Sequence, residues 1–297
     1  MLLICVIRNR VSYIPGFLRH YREFGVNDFL FIDNMSTDGT YELLKDEGCT
    51  VEQESRAYIT SHGCADWVSE RLDKIANNTW CLVVDSDELF IYPFMCDSLI
   101  ANQLPDFCKL LDDMGYQGCF APLVDMYAND NILHLVPTDN WFNDCPWYDN
   151  FHGYSVGQND KLFPSCIITG GVRSRVFYNC IGGPWLQAVP LIKWSHGMRY
   201  NYGRHSLSFP VRLYPYGALL HFKFYQDIYR VTVDAVINKQ YSNKSAEYTK
   251  YWNILQRGGL NLYREECSCL YSGHIQLLLE LSTSLGQWAV IKHGKVR

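Results

Sequence analysis

Three carboxylates stand together at Asp85-Ser86-Asp87-Glu88, directly after the apolar run Trp80-Cys81-Leu82-Val83-Val84. Like charges this close are costly unless water or a counter-ion neutralises them. A hard divalent cation does so well, because Mg2+ and Mn2+ prefer carboxylate oxygens and substrate phosphates. In an open parallel sheet, ligands bind beyond the carboxyl ends of the strands, which is where a strand ending in this cluster would put its charge. A D-x-D pair by itself reads equally well as a solvated acidic turn. A second apolar run, Phe29-Leu30-Phe31-Ile32, ends on Asp33-Asn34 and leads into Ser36-Thr37-Asp38-Gly39-Thr40. A carboxylate at that strand end can accept hydrogen bonds from a ribose or a base edge. The plainer alternative makes Asp38-Gly39 a turn and Asp33 a neighbour of the helix cap.

The elements that must position these residues follow from hydrophobic periodicity. Continuous apolar runs predict buried strands over 2–7, 28–32, 49–53 and 80–84, with helices over 14–24, 40–46 and 64–76 between them. Pro15 suits a first helical turn, Gly25 and Gly48 suit helix stops, and Thr37 or Asp38 can cap the second helix. Repeated β-α units predict an α/β fold, with a mostly parallel central sheet flanked by helices. Further along, 97–115 reads as a helix, 118–124 as a strand, and 128–165 as a long irregular region of the kind that forms a lid or substrate wall. Strand-like pieces return at 167–168 and 218–224, and helices over 226–239 and 246–256 complete the pattern.

With 297 residues, 48% of them hydrophobic and 19% charged, the chain can bury one large core and is not disordered. A net charge of −5 excludes a nucleic-acid binder held by bulk electrostatics. The aromatic share of 15% serves cores and sugar-stacking walls alike. Twelve cysteines are scattered without paired C-x-x-C spacing, so they read as reduced, buried residues. Residues 1–7 are too short for a secretory apolar region, and no later run approaches the roughly 18–20 apolar residues of a membrane span. The expectation is a cytoplasmic protein, soluble or peripheral at the inner face of the membrane.

An ordered set of stretches resembles glycosyltransferase family 2, in the bacterial family 2-like branch of the GT-A superfamily. The set comprises Val6-Ile7-Arg8-Asn9, the Asn34 to Thr40 stretch, and Trp80 through Pro93. It continues with Asp125-Met126-Tyr127, Gly170-Gly171-Val172-Arg173-x-Arg175-x-Phe177, and Leu219-Leu220-His221-Phe222-Lys223-Phe224. These pieces span residues 6 to about 225. Arg10 departs from the pattern, standing where the family commonly carries Glu.

The resemblance implies a GT-A catalytic domain over 1–225, with a nucleotide-binding half at 1–95 and an acceptor-binding half at 96–225 on one shared sheet. A helical extension over 226–297 would pack on it and could dock on a membrane. Asp33, Arg8 and Asn9 would bind the donor nucleoside. Asp87 would be the main ligand of Mn2+ or Mg2+, Asp85 would reach the ribose or the metal, His221 would be a further metal ligand, and Lys223 would help with phosphate charge. Arg173 and Arg175 read as alternating along a strand, one facing inward toward phosphate or a sugar hydroxyl. His205 is a second choice for the metal or a contact for the acceptor. His62, His134, His152 and His196 read as loop residues. Transfer with inversion needs a general base, for which Asp125 and Asp149 are the candidates, with Asp160 a further one. The expected reaction moves a sugar from a nucleotide diphosphate donor, UDP-linked by preference, to a saccharide or lipid-linked saccharide. The alternatives are an inactive carbohydrate- or nucleotide-binding protein and a sugar nucleotidyltransferase; the latter would want a glycine in the 8–12 loop, which has none.

Overall fold

The structure, a computed structural model, describes residues 1–96, 99, 103–214, 216–239 and 241–285. In chain order it begins β1 (Leu2–Ile7), α1 (Ile14–Glu23), β2 (Asp28–Asp33), α2 (Thr40–Asp46), β3 (Thr50–Gln53), α3 (Ala65–Ile75), β4 (Thr79–Asp85), β5 (Glu88–Ile91) and α4 (Leu104–Asp113). The middle holds β6 (Gly118–Cys119), β7 (Leu123–Tyr127), α5 (Trp141–Asp144), β8 (Trp147–Asp149), β9 (Ser155–Gln158), β10 (Cys166–Thr169) and α6 (Gly171–Phe177). Then follow β11 (Leu191–Trp194), β12 (Tyr200–Asn201), β13 (Ser206–Leu207), β14 (Leu213–Tyr214), β15 (Ala218–His221), α7 (Asp227–Asn238), α8 (Ser242–Leu255), β16 (Ser268–Leu270) and α9 (His274–Ser284).

Successive side chains of a strand point to opposite faces, and both faces of β1 are covered. Leu3, Cys5 and Ile7 pack into one core with Phe17, Leu18 and Tyr21 of α1. Ile4 lies in a separate core with Trp67, Val68 and Leu72 of α3. That two-sided burial is why β1, β2 and β4 read as unbroken apolar runs. The central sheet runs β14-β6-β11-β4-β1-β2-β3, and the β4-β1-β2-β3 portion is wholly parallel. The fold is thus mixed α/β with a mostly parallel sheet flanked by helices, as the periodicity predicts.

The second half corrects the expectation of one shared sheet. The strand expected over 118–124 splits: β6 joins the central sheet, while β7 enters a second sheet of order β16-β8-β7-β15-β5. The C-terminal part is not wholly helical either, since β16 pairs with β8. Of the helix expected over 97–115, Leu104–Asp113 forms; residues 97, 98, 100–102 and 286–297 lie outside the described residues. Among the described residues the twelve cysteines form no disulfide, and no helix is long and apolar enough to cross a membrane.

Arg173 and Arg175 lie on helix α6, not on a strand. Gly170 explains the abrupt turn into it. Its φ is +144°, and a Cβ there would sit 2.6 Å from Tyr154 Cα and 2.8 Å from the Gly153 carbonyl oxygen. Both obstacles are backbone and cannot rotate away. Gly170→Ala is therefore expected to destabilise the protein by about 2–4 kcal/mol, measured by urea denaturation. A change within a few tenths of a kcal/mol would mean that α6 does not need this approach.

Candidate functional site

The carboxyl ends of β1, β2 and β4 deliver Arg8, Asn34 and Asp85 to one mouth of the central sheet. The two N-terminal motifs hold each other there. The Asn9 amide donates to Ser36 Oγ at 2.9 Å, and Asn9 Oδ1 accepts from the Thr37 amide at 2.8 Å. Gly39 is the N-cap residue of α2, and Asp38 before it closes the turn by accepting from the Thr40 amide at 3.0 Å. Asp33 is fully buried and accepts from the Ser36 amide at 3.2 Å. The turn reading thus describes its carboxylate, and Asn34 is the β2-end side chain that reaches the open space. Asn34 Oδ1 accepts from Arg8 Nη1 at 3.4 Å, and its amide nitrogen donates to the Glu54 carbonyl at 2.7 Å. Asn9 likewise serves as a clasp within the loop.

The second sheet supplies the opposite wall. Its register puts Glu88, His221 and Asp125 in one row across β5, β15 and β7. His221 Nδ1 lies 2.6 Å from Asp125 Oδ1, and Asp125 Oδ2 accepts from Arg173 Nε at 2.8 Å. Burial alone would push the Asp125 carboxyl up, but Arg173 and His221 outweigh it and hold it at about 2. An ionised Asp125 can only accept, so Nδ1 carries the proton. Asp125 is therefore not a free base; it orients a histidine. The other ring nitrogen, Nε2, points at Asp87 Oδ2 at 3.7 Å. Burial disfavours the charge on Asp87, and His221, Arg10 and Lys223 outweigh it and hold the carboxyl below its ordinary range.

A carboxylate oxygen facing an imidazole nitrogen whose partner nitrogen is fixed by a second carboxylate is the donor arrangement of a histidine metal ligand. Asp87 and His221 therefore fit a divalent cation as two of its ligands. Among the described residues no three His, Cys, Asp or Glu side chains form a ready-made cluster. The remaining ligands of a hard cation would have to be water and substrate oxygens, which is usual for Mg2+.

Asp85 is engaged by a cation of the protein itself. Its Oδ2 accepts from Arg204 Nη2 at 2.9 Å, and the same guanidinium grips Glu88 through both nitrogens, Nη2 at 2.7 Å from Oε1. Glu88 is 1% exposed and also accepts from the Asp85 amide. Arg204 outweighs burial and keeps the Glu88 carboxyl low. The Asp85 side chain lines the cavity with nearly half its surface exposed. Desolvation, with Glu88 and Asp87 adding to it, raises its pKa. A second, partly buried cation, Arg10, lies 3.9 Å from Asp87 and pairs closely with Asp227 at the start of α7, to which Tyr13 Oη also donates at 2.8 Å. The sequence reading assigned no role to Arg204, although it adjoins His205, or to Arg10 beyond its departure from the family.

These groups line a cavity of about 750 Å³, to which Arg8, Asp85, Asp87, Arg173, His205, His221 and Lys223 all contribute. Residues expected to act together, drawn from 8 to 223 in the chain, thus meet in one place. His62, read as a loop residue, also lies on the wall. His205 Nδ1 is 2.7 Å from the Gln187 carbonyl, and burial lowers its pKa to about 4, so the ring is neutral. Trp185 packs against both Tyr202 and His205 to form an aromatic corner. Lys223 stacks over Tyr248 and Tyr251 of α8. Asp149 lies elsewhere: it is buried, held by both Arg175 Nε and Nη2 at 2.8 Å, and bonded by Tyr127 Oη. It is a structural partner of Arg175, which points to the opposite side of α6 from Arg173.

No protein-family profile and no curated protein matches the sequence. Solved structures overlap it in part. TarS of S. aureus is 16% identical over 48% of this chain and 29% of its own, with a TM-score of 0.30. Mannosyl-3-phosphoglycerate synthase of Rubrobacter xylanophilus is 18% identical over 42% of this chain and 40% of its own, also at 0.30. HddC of Yersinia pseudotuberculosis is 8% identical over 77% of this chain and 96% of its own, at 0.36. The chain thus spans less than half the length of the first two. With overlaps this slight, function has to be argued from the cavity itself.

Proposed function

We propose that this chain is a metal-dependent glycosyltransferase of the GT-A type, taking a sugar from a nucleotide diphosphate donor, UDP-linked as the first candidate. The observation that carries the reading is the pair Asp87 and His221, with His221 oriented by Asp125, in a large cavity beyond the carboxyl ends of a parallel sheet. Asp87 and His221 would hold Mn2+ or Mg2+. A cation bound there would act as a Lewis acid on the diphosphate as negative charge develops on leaving. Lys223 and Arg10 add fixed positive charge nearby, where it stabilises phosphate oxygens. Arg8 and Asn34, at the ends of β1 and β2, present a guanidinium and an amide to the nucleoside. Trp185 offers an aromatic face and His205 a lone pair, a combination suited to the acceptor saccharide. The unpaired cysteines agree with a reducing, cytoplasmic setting.

Thermal-shift binding of UDP and GDP, with and without Mn2+, on wild type and Asp87→Ala, tests this. One nucleotide should stabilise the wild type only with metal, by about 2.7 kcal/mol at 100 times its Kd. The Asp87→Ala variant should lose that gain. If neither nucleotide stabilises the wild type with Mn2+, the transferase reading falls.

A further inference from the structure

We propose that Glu247 of α8 is the general base that takes the proton of the acceptor hydroxyl, an inference that rests on the transfer reading above. Four carboxylates among the described residues line the cavity: Asp85, Asp87, Glu88 and Glu247. Arg204 binds Asp85 and Glu88, and Asp87 faces His221. Asp85, also held through one oxygen, belongs to the carboxylate cluster at the end of β4; Glu247 is the lining carboxylate outside that cluster and the candidate for proton transfer. Its contacts all converge on one oxygen: Oε1 accepts from Tyr251 Oη and lies 3.6 Å from Arg173 Nη1 and 3.8 Å from Lys223 Nζ. Among the described residues Oε2 accepts no hydrogen bond. A carboxylate anchored by one oxygen and open at the other is positioned to accept a proton.

Burial works against the charge on Glu247, but Lys223, Arg173 and Tyr251 outweigh it, so the group is ionised at neutral pH as a base must be. Glu247 lines the same cavity as the candidate metal pair. Arg173 binds Asp125 through Nε and faces Glu247 with Nη1, so one guanidinium separates Glu247 from the Asp125–His221–Asp87 chain. An inverting transfer needs the acceptor to attack from the face opposite the departing diphosphate. In that step the hydroxyl proton passes to Glu247 and the acceptor oxygen bonds to the anomeric carbon. The bond from that carbon to the phosphate oxygen breaks, and its electron pair leaves with the nucleoside diphosphate.

The test compares wild type, Glu247→Gln and Glu247→Asp. Thermal shift with Mn2+ and the nucleotide that stabilises wild type reports folding and donor binding. Nucleotide release from UDP-glucose and UDP-N-acetylglucosamine, or their GDP-linked counterparts, reports turnover with water as acceptor. Expected is nucleotide binding unchanged in Glu247→Gln, release down about 100-fold or more, and partial recovery in Glu247→Asp. Release within threefold of wild type in Glu247→Gln would overturn the proposal. So would a matching change in nucleotide binding in either direction, which would make Glu247 part of the donor site. A wild type that binds the nucleotide but turns over no donor has no use for a base, and also overturns it. A wild type that binds neither nucleotide instead removes the transfer reading itself.

Discussion

Arg204→Met is expected to cost about 3–5 kcal/mol of stability, the range for breaking a buried ion pair by removing one partner. Glu88 is 1% exposed and its two oxygens are both bonded to this guanidinium, which also holds Asp85. Without Arg204, Glu88 must either stay charged in a site with no counter-ion or take up a proton. Removing both partners should cost less than removing one, because an apolar pair leaves no orphaned charge. The urea midpoint of Arg204→Met, Glu88→Leu and the double variant forms a double-mutant cycle. A single variant that loses less than about 1 kcal/mol would show that solvent already reaches Glu88.

The second large effect concerns the metal. Asp125→Asn should raise the Mn2+ concentration needed for nucleotide stabilisation about 10–100-fold, the usual penalty for losing the group that orients a ligating histidine. His221→Ala should weaken it further, since a ligand itself is gone. The order matters: an indirect role for Asp125 predicts a smaller loss than that of His221, whereas a catalytic base would leave Mn2+ dependence unchanged. Equal Mn2+ requirements in wild type and both variants would remove His221 from the proposed metal site.

What the sequence could reveal follows the range of the forces involved. From β1 to β4 the elements lie within about two residues of where periodicity and turn residues put them, because these signals are local. The split of 118–124 was not visible, since choosing between two sheets is a long-range decision. Helix α6 was missed because Val172, Val176 and Phe177 have strand propensity, which tertiary packing overrides. Among the cavity-lining residues, Asp87 stands out by type and spacing after a buried strand, while His221 enters only through the family resemblance. Ion-pair partners give no such signal: Arg204 bonds Glu88 from 116 residues away, and Arg10 bonds Asp227 from 217 away. Asp125 and Asp149 looked available as bases only because Arg173 and Arg175 cannot be paired with them by spacing alone.

The pairing of Arg10 with Asp227 has a bearing on how this protein can be divided. The loop after β1 and the first turn of α7 share one partly buried ion pair, and α8 reaches Arg173 and Lys223 through Glu247. Exchanging the segment that carries α7 and α8 as a cassette would therefore break these pairs. A truncation at 226 would strip the counter-charge from Arg10 and a wall from the cavity at once. Trp185, Tyr202 and His205 form a different stretch of the cavity wall, where side chains can change without unpairing a charge.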